Sequence, residues 1–142
     1  APSTAPPAGG TGCLRAQGIA ATGSARIDAV LEFACQQLGD AYVWGAAGPD
    51  AYDCSGLTMR AWERGGVSLP HFAQAQYEQT RAVPVGSIQP GDLLFWTDSS
   101  GYIYHEGLYV GGGRMIHAPN PSRRVELVSY TWMGAPDLAS RP

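Results

Sequence analysis

The sequence predicts an α+β domain in which helices come first and an antiparallel sheet follows. Helical periodicity dominates the first half of the 142-residue chain. Beyond Arg81 the chain changes to short apolar runs between Gly- and Pro-rich turns, which is typical of antiparallel strands. Because helices and strands are segregated along the chain, the pattern favours an α+β fold. The length is that of one domain with a sizeable core.

The first 23 residues precede any helical pattern. Their sequence, APSTAPPAGGTGCLRAQGIAATG, is rich in Pro and Gly and has no sustained periodicity. We therefore expect residues 1–23 to be an arm or linker and not a helix, with the folded domain over residues 24–142. A charged start with an apolar middle is missing, so we expect a mature form whose signal peptide has been removed.

Apolar spacing and end signals define the helices. Ser24 is a suitable N-cap for a helix over 24–38, and the loop YVWGAAGPD follows it. A second helix is predicted from Asp53 to about residue 64, and a short third one over 72–79. The predicted strands are 92–96, 103–110, 114–118 and 124–130.

Charge and hydropathy exclude two classes of partner. Nine basic residues against twelve acidic ones give a net charge of −3, so no basic excess is available to neutralise nucleic-acid phosphates. The chain has no apolar run long enough to cross a membrane. We expect a monomer that neither binds nucleic acid nor inserts into a membrane.

Three residues form a candidate catalytic set. Cys54 stands at the predicted start of a helix, where backbone N–H groups and the helix dipole favour a thiolate. His105 and His117 lie on two strands joined by a Gly-Gly-Gly turn, so their rings can lie side by side. A nucleophile needs a base, and the base needs a group that orients it, so this set can act as nucleophile, base and orienter.

Two other interpretations of these residues stay open. Cys54 is also compatible with a buried structural role, since free cysteines are among the most buried residues. The same three side chains could bind zinc with one open position, although no CxxC or HxxxH spacing supports this. A non-hydrolytic binding module is a further alternative.

Four segments carry a resemblance to a known family. YVWGAAGPDAYDCSGL, LPHFAQAQY, IQPGDLLFW and HEGLYVGGGRMIHAP follow one another in order between residues 24 and 130. They resemble the NlpC/p60 family of cell-wall cysteine peptidases, in particular secreted actinobacterial endopeptidases of the mycobacterial type. The resemblance implies a papain-like fold with Cys54 as nucleophile, His105 as base and His117 as the third polar residue.

The resemblance also implies a substrate and a location. Peptidoglycan stem peptides are the implied substrate, cut at the D-γ-glutamyl–meso-diaminopimelate bond without a cofactor or metal, in the cell wall or outside the cell. Tyr42 is implied to supply its hydroxyl to the oxyanion position, while Asp53 and Ser55 line the substrate groove. Asp53 and Ser55 could equally cap the helix, and Tyr42 could be a core residue.

Several residues depart from this pattern or lie outside it. Glu106 stands after His105 where the family has a small apolar residue, and strand alternation points it away from His105, where a buried carboxyl would need a partner. His71 is interpreted as a helix cap or a rim residue, and Trp44 as core or groove wall. Cys13 and Cys35 are expected to form a disulfide that fixes the arm, the alternative being two free thiols.

Overall fold

The fold, seen in a computed structural model that describes residues 10–142, has four α-helices and eight β-strands in that part of the chain. The helices are α1 (Gly12–Ala16), α2 (Ala25–Gln36), α3 (Cys54–Glu63) and α4 (Ala73–Gln79). A 3₁₀ turn covers Val85–Ser87. Within residues 10–142, no helix has the length and apolarity that a membrane crossing requires.

Six of the strands form one antiparallel sheet in the order β3-β8-β4-β5-β6-β7. Its members are β3 (Arg81–Val83), β4 (Leu93–Thr97), β5 (Ile103–Gly111), β6 (Arg114–His117), β7 (Glu126–Ser129) and β8 (Leu138–Arg141). A separate parallel pair joins β1 (Ala41–Tyr42) to β2 (Ala51–Tyr52). The predicted α+β class is confirmed, as are the three helices and the four strands, to within a few residues at their ends.

The sheet is covered on both faces, which explains why β4 is an unbroken apolar run. Leu93 and Phe95 belong to the main core beneath the helices, whereas Leu94 and Trp96 belong to a smaller cluster on the opposite face. Successive side chains of a strand point to opposite faces, so both sets are buried. The main core also contains residues from each long helix and from the central strands, namely Val30, Leu31, Leu57, Trp62, Leu108 and Ile116.

The arm contains a short helix that the sequence analysis missed. The expectation that residues 1–23 form no helix is wrong for Gly12–Ala16, while residues 1–9 lie outside the described part of the chain. The buried Glu32 carboxylate of α2 accepts hydrogen bonds from the first-turn N–H groups of Cys13 and Leu14, both at 3.1 Å. Tertiary contacts thus satisfy this helix start, and such contacts leave no periodic signal in the sequence.

A disulfide joins Cys13 to Cys35, as the sequence analysis expected. It fixes α1 to α2 while Leu14 inserts into the main core. The arm is therefore packed against the domain from residue 12 onwards.

Removing this disulfide will destabilise the protein. The bridge closes a loop with a sequence separation of 22 residues, for which chain entropy gives about 3 kcal/mol. We expect Cys13→Ser to lower the free energy of unfolding by about that amount in a denaturant titration under non-reducing conditions. Cys54→Ser, which leaves the bridge intact, is the matched control. Equal stabilities for the two variants would contradict this role of the bridge.

Candidate active site

Cys54 is the first residue of α3 and lies at a cavity of about 310 Å³. Asp53 is the N-cap of this helix, and its carboxylate accepts a hydrogen bond from the Gly56 N–H at 2.7 Å. Any Cβ at position 56 would collide with the Ala46 carbonyl, so the DCSG segment needs glycine there for the helix to approach the 46–47 backbone. A larger cleft of about 530 Å³ lies by the arm and contains none of the candidate catalytic residues.

Three side chains on adjacent strands form a hydrogen-bonded relay. His105 on β5 contacts His117 on β6, with 2.8 Å between His105 Nε2 and His117 Nδ1. His117 Nε2 lies 2.8 Å from Glu126 Oε2 on β7, directly opposite in the strand register. Both histidines are buried. His105 also lines the cavity that contains Cys54.

Counting protons along the relay determines the tautomer of each ring. A carboxylate only accepts hydrogen bonds, so His117 must carry its proton on Nε2 to donate to Glu126. Neutral His117 then has a bare Nδ1, which accepts from the Nε2–H of His105. The remaining nitrogen of His105, Nδ1, is therefore unprotonated and available to accept a proton.

Burial makes the resting site neutral. Desolvation is the largest of the causes that raise the pKa of Cys54 to about 12; the Asp53 carboxylate acts in the same direction, while the backbone N–H groups of Glu106 and Ser55 oppose the shift. Desolvation and the neighbouring His117 lower the pKa of His105 to about 3. Desolvation thus outweighs the stabilising effect of the helix start, and the thiolate expected from the sequence is not the resting state. A neutral thiol and a neutral imidazole therefore line the same cavity.

The ends of the relay are tuned in the same direction. Burial lowers the pKa of His117 more than Glu126 raises it, which keeps His117 neutral. Burial would raise the pKa of Glu126, but hydrogen bonds from Arg123 and His117 outweigh it and lower the pKa. The relay therefore ends in an ionised carboxylate at neutral pH, as its proton count requires.

Glu126 and Arg123 were missed as site residues. Arg123 donates to both Glu126 oxygens at 2.8–3.1 Å and lies over the Trp132 ring, 4.5 Å from its centroid. The sequence analysis had placed a strand at 124–130 but did not align it with His117. The available signal was strand pairing, since a polar residue opposite His117 is the natural partner for its outer nitrogen.

The three predicted groove residues all line the cavity. Burial raises the pKa of Tyr42, and the nearby Cys54 and Asp53 raise it further, so its phenol stays a hydrogen-bond donor. The Asp53 carboxylate is already bonded to the N–H groups of Gly45 and Gly56. Ser55 is buried, with its hydroxyl 3.4 Å from Asp53 Oδ1.

His71 also lies at the rim of the cavity. Its Nε2 is 2.7 Å from Asp53 Oδ1, so it connects the segment before α4 to the N-cap of α3. His71 does not cap its own helix, because Phe72 is the N-cap residue of α4. His71 and Asp53 therefore support each other at one side of the groove.

Exposed aromatic rings concentrate around the same cavity. Trp44 is 84% exposed, and the rings of Phe72, Tyr102 and Tyr104 are each about half exposed. All four line the cavity, together with Pro119. Trp44 is therefore groove wall, one of the two expected positions, and apolar surface that is exposed on several loops around one cavity is typical of a binding groove.

A metal centre is not supported by the arrangement of side chains. Over residues 10–142, no group of three or more His, Cys, Asp or Glu side chains converges in a way that could hold a metal ion. His105, His117 and Glu126 instead form a hydrogen-bonded line that ends in a carboxylate. Such a line suits proton transfer.

Comparisons with known proteins identify the family of the chain. Residues 39–135 match the NlpC/P60 family. A probable endopeptidase of Mycobacterium tuberculosis is 43% identical over 91 residues, which are 63% of this chain and 23% of that protein. The γ-D-glutamyl-L-lysine dipeptidyl-peptidase of Bacillus subtilis is 38% identical over 96 residues, or 66% of this chain and 32% of the enzyme. The chain thus spans about a quarter to a third of these relatives.

Solved structures show the same fold. The NlpC/p60 domain of the peptidoglycan hydrolase SagA superposes with a TM-score of 0.72 at 35% identity, covering 80% of this chain and 96% of that one. The peptidoglycan hydrolase RipB of Mycobacterium tuberculosis superposes with a TM-score of 0.71 at 28% identity, covering 92% and 77%. The fold is that of an NlpC/p60 domain. The chain belongs to the NlpC/P60 family.

Removing Glu126 will impair the reactivity of Cys54. Without the carboxylate, His117 is free to adopt the other tautomer, and His105 then loses the acceptor that keeps its Nδ1 bare. We expect Glu126→Ala to slow alkylation of Cys54 by iodoacetamide at neutral pH by about 100-fold. Arg123→Ala, which keeps the carboxylate, is the matched control and should cost much less. Unchanged alkylation in folded Glu126→Ala protein would show that the relay does not set the state of His105.

Proposed function

We propose that this chain is the catalytic domain of a secreted peptidoglycan endopeptidase that cuts stem peptides through a covalent acyl-enzyme. The observation that carries the proposal is the buried His105–His117–Glu126 relay, which leaves a bare nitrogen of His105 in the cavity that contains Cys54. The names of the similar proteins support the substrate class, and the Cys13–Cys35 disulfide supports an oxidising, extracytoplasmic location.

The chemistry follows from the neutral resting site. His105 Nδ1 takes the thiol proton as Cys54 Sγ attacks the scissile carbonyl, and the oxyanion that forms is held by the Cys54 N–H and the Tyr42 hydroxyl. The protonated His105 then gives its proton to the leaving amine. Water, deprotonated by His105, hydrolyses the thioester and regenerates the thiol. No metal or cofactor takes part.

The bond cleaved is the one between D-γ-glutamate and meso-diaminopimelate. This assignment is supported by the Bacillus relative, whose name specifies a γ-D-glutamyl linkage to a diamino acid. The exposed rings of Trp44, Phe72, Tyr102 and Tyr104 provide apolar walls for an extended substrate. Asp53 and Ser55 supply the polar contacts on the floor.

The direct test uses defined stem peptides and mass analysis of the products. The wild-type protein should release the γ-D-glutamyl fragment, whereas Cys54→Ala should be inactive with its fold intact, because alanine is a good helix former. A stem peptide with lysine in place of meso-diaminopimelate tests whether the cleaved bond requires meso-diaminopimelate as its second residue. Turnover by Cys54→Ala would exclude the covalent mechanism, and failure of the wild-type protein to cut any stem peptide would favour a non-hydrolytic binding module.

The two histidines should differ in their tolerance of substitution. His105 carries the proton itself, so His105→Ala should abolish hydrolysis. His117 orients His105 by accepting its Nε2–H, and the amide oxygen of a glutamine can accept the same hydrogen bond, so His117→Gln should retain measurable kcat. The measurement is steady-state hydrolysis, with circular dichroism as the check of folding. Equal inactivity of both folded variants would contradict this division of roles.

A further inference from the structure

Glu106 is a fully buried carboxyl directly behind the nucleophile. It follows His105 on β5 and pairs in register with Phe95, so its side chain lies on the helix-covered face of the sheet. Its backbone N–H contacts the Cys54 sulfur. Neither carboxyl oxygen has a hydrogen-bond partner in the described part of the chain, although the Thr58 hydroxyl lies nearby. A buried carboxyl of this kind requires an explanation.

The polar groups next to Glu106 form a chain whose hydrogens can be counted. The amide nitrogen of Gln76 uses both of its hydrogens, donating to the carbonyls of Ser55 at 2.9 Å and Pro70 at 2.8 Å. The Gln76 oxygen must therefore accept, and the Thr58 hydroxyl is 2.8 Å from it. Other acceptors of the Thr58 hydroxyl are farther away, at 3.1 and 3.4 Å.

This count leaves Thr58 with no hydrogen for Glu106. A hydroxyl carries a single hydrogen, which Thr58 gives to Gln76, so only its lone pairs face the carboxyl. A contact between Glu106 and Thr58 can then be a hydrogen bond only if the proton belongs to the carboxyl. Thr58 and Gln76 are both buried with the carboxyl.

We propose that Glu106 is a neutral carboxylic acid whose proton is directed at the lone pairs of Thr58, the buried hydroxyl that Gln76 connects to the carbonyls of Ser55 and Pro70. The hydrogen bonds of Thr58 and Gln76 connect the first turns of α3, which begins at Cys54, to the chain segment that leads into α4. Glu106 is thus a positioning residue. Its link to catalysis rests on the proposed function, but its protonation state can be tested without any substrate.

The charges around Glu106 agree with a neutral acid. Desolvation is the largest cause and raises its pKa well above the usual 4.5; the Thr58 contact opposes this shift, and the carboxylate of Asp53 acts in the same direction as desolvation. The titratable groups that face it from α3 are Cys54 and Asp53, and both are acids. A carboxylate at this position would repel the developing thiolate. A neutral acid at this position adds no such repulsion.

Stability should therefore depend on pH through this residue. The carboxyl is protonated in the folded chain, but it ionises above about pH 4.5 in the unfolded chain, as a free glutamic acid does. The contribution of this carboxyl to stability is then fully present below that pH, and it is lost as the pH rises towards the raised pKa of the folded state. Glu106→Gln removes the titration and keeps the shape, so its melting temperature relative to wild type should rise between about pH 5 and about pH 8.

Two measurements decide the proposal. Infrared difference spectra of wild type against Glu106→Gln at neutral pH should show the C=O stretch of a protonated carboxylic acid in the wild type alone. Thr58→Val should shift that band, because the acid loses its acceptor. The pH profile of Cys54 alkylation should be the same within about twofold for wild type and Glu106→Gln, since a neutral amide replaces a neutral acid.

The opposite results would overturn it. An ionised Glu106 would give no carboxylic acid band, and Glu106→Gln would then move the alkylation profile to lower pH by removing a negative charge beside the sulfur. Should Glu106→Gln fail to fold, Glu106→Leu provides the same infrared comparison with an apolar side chain. If the wild-type protein did not hydrolyse stem peptides, the proposed function would be rejected, and the infrared result would be unaffected.

Discussion

The Glu126 carboxylate can only accept hydrogen bonds, and the chemistry of the site depends on that constraint. It places the proton of His117 on Nε2, which in turn places that of His105 on Nε2 and leaves the inner nitrogen of His105 bare. Three neighbouring strands deliver these groups in line, because β5, β6 and β7 are adjacent in the sheet. Arg123 and Trp132 hold the outer end in place.

Desolvation is the second determinant of the site. Burial raises the pKa of Cys54 and lowers that of His105, so the ion pair that a more open site would hold is absent at rest. The backbone N–H groups at the start of α3 and on β5 lie next to the sulfur, and they stabilise it most once negative charge develops there. A neutral Glu106 completes this arrangement, because it fills a buried position beside the sulfur without adding a charge.

Features with a local sequence signature were predictable. The apolar spacing of α2 and α3, the Ser24 and Asp53 caps and the position of Cys54 all follow from residues close together in the chain. The partnership of Cys13 with Cys35 was also accessible, because few pairings are possible. Strands β3 and β8 were not, since the segments RAV and LASR are short and partly polar and become strands only by pairing with each other and with β4.

Three residues of the candidate site were predictable from the sequence, but their partners and the extent of their burial were not. Cys54, His105 and His117 were found from spacing, whereas Glu126 required the register of β6 against β7 and α1 required the Glu32 contacts. The sign of the Cys54 pKa shift was also misjudged, because sequence reveals a helix start but not how completely the surrounding protein excludes water.

The central claim is that His105 is a neutral imidazole with a bare Nδ1. The most direct measurement is the ¹⁵N NMR spectrum of the histidine side chains in the wild-type protein at neutral pH. The relay predicts that His105 and His117 both carry their proton on Nε2 alone, with a hydrogen-bonded Nε2–H on each. A His105 ring protonated on Nδ1, or on both nitrogens, would contradict it.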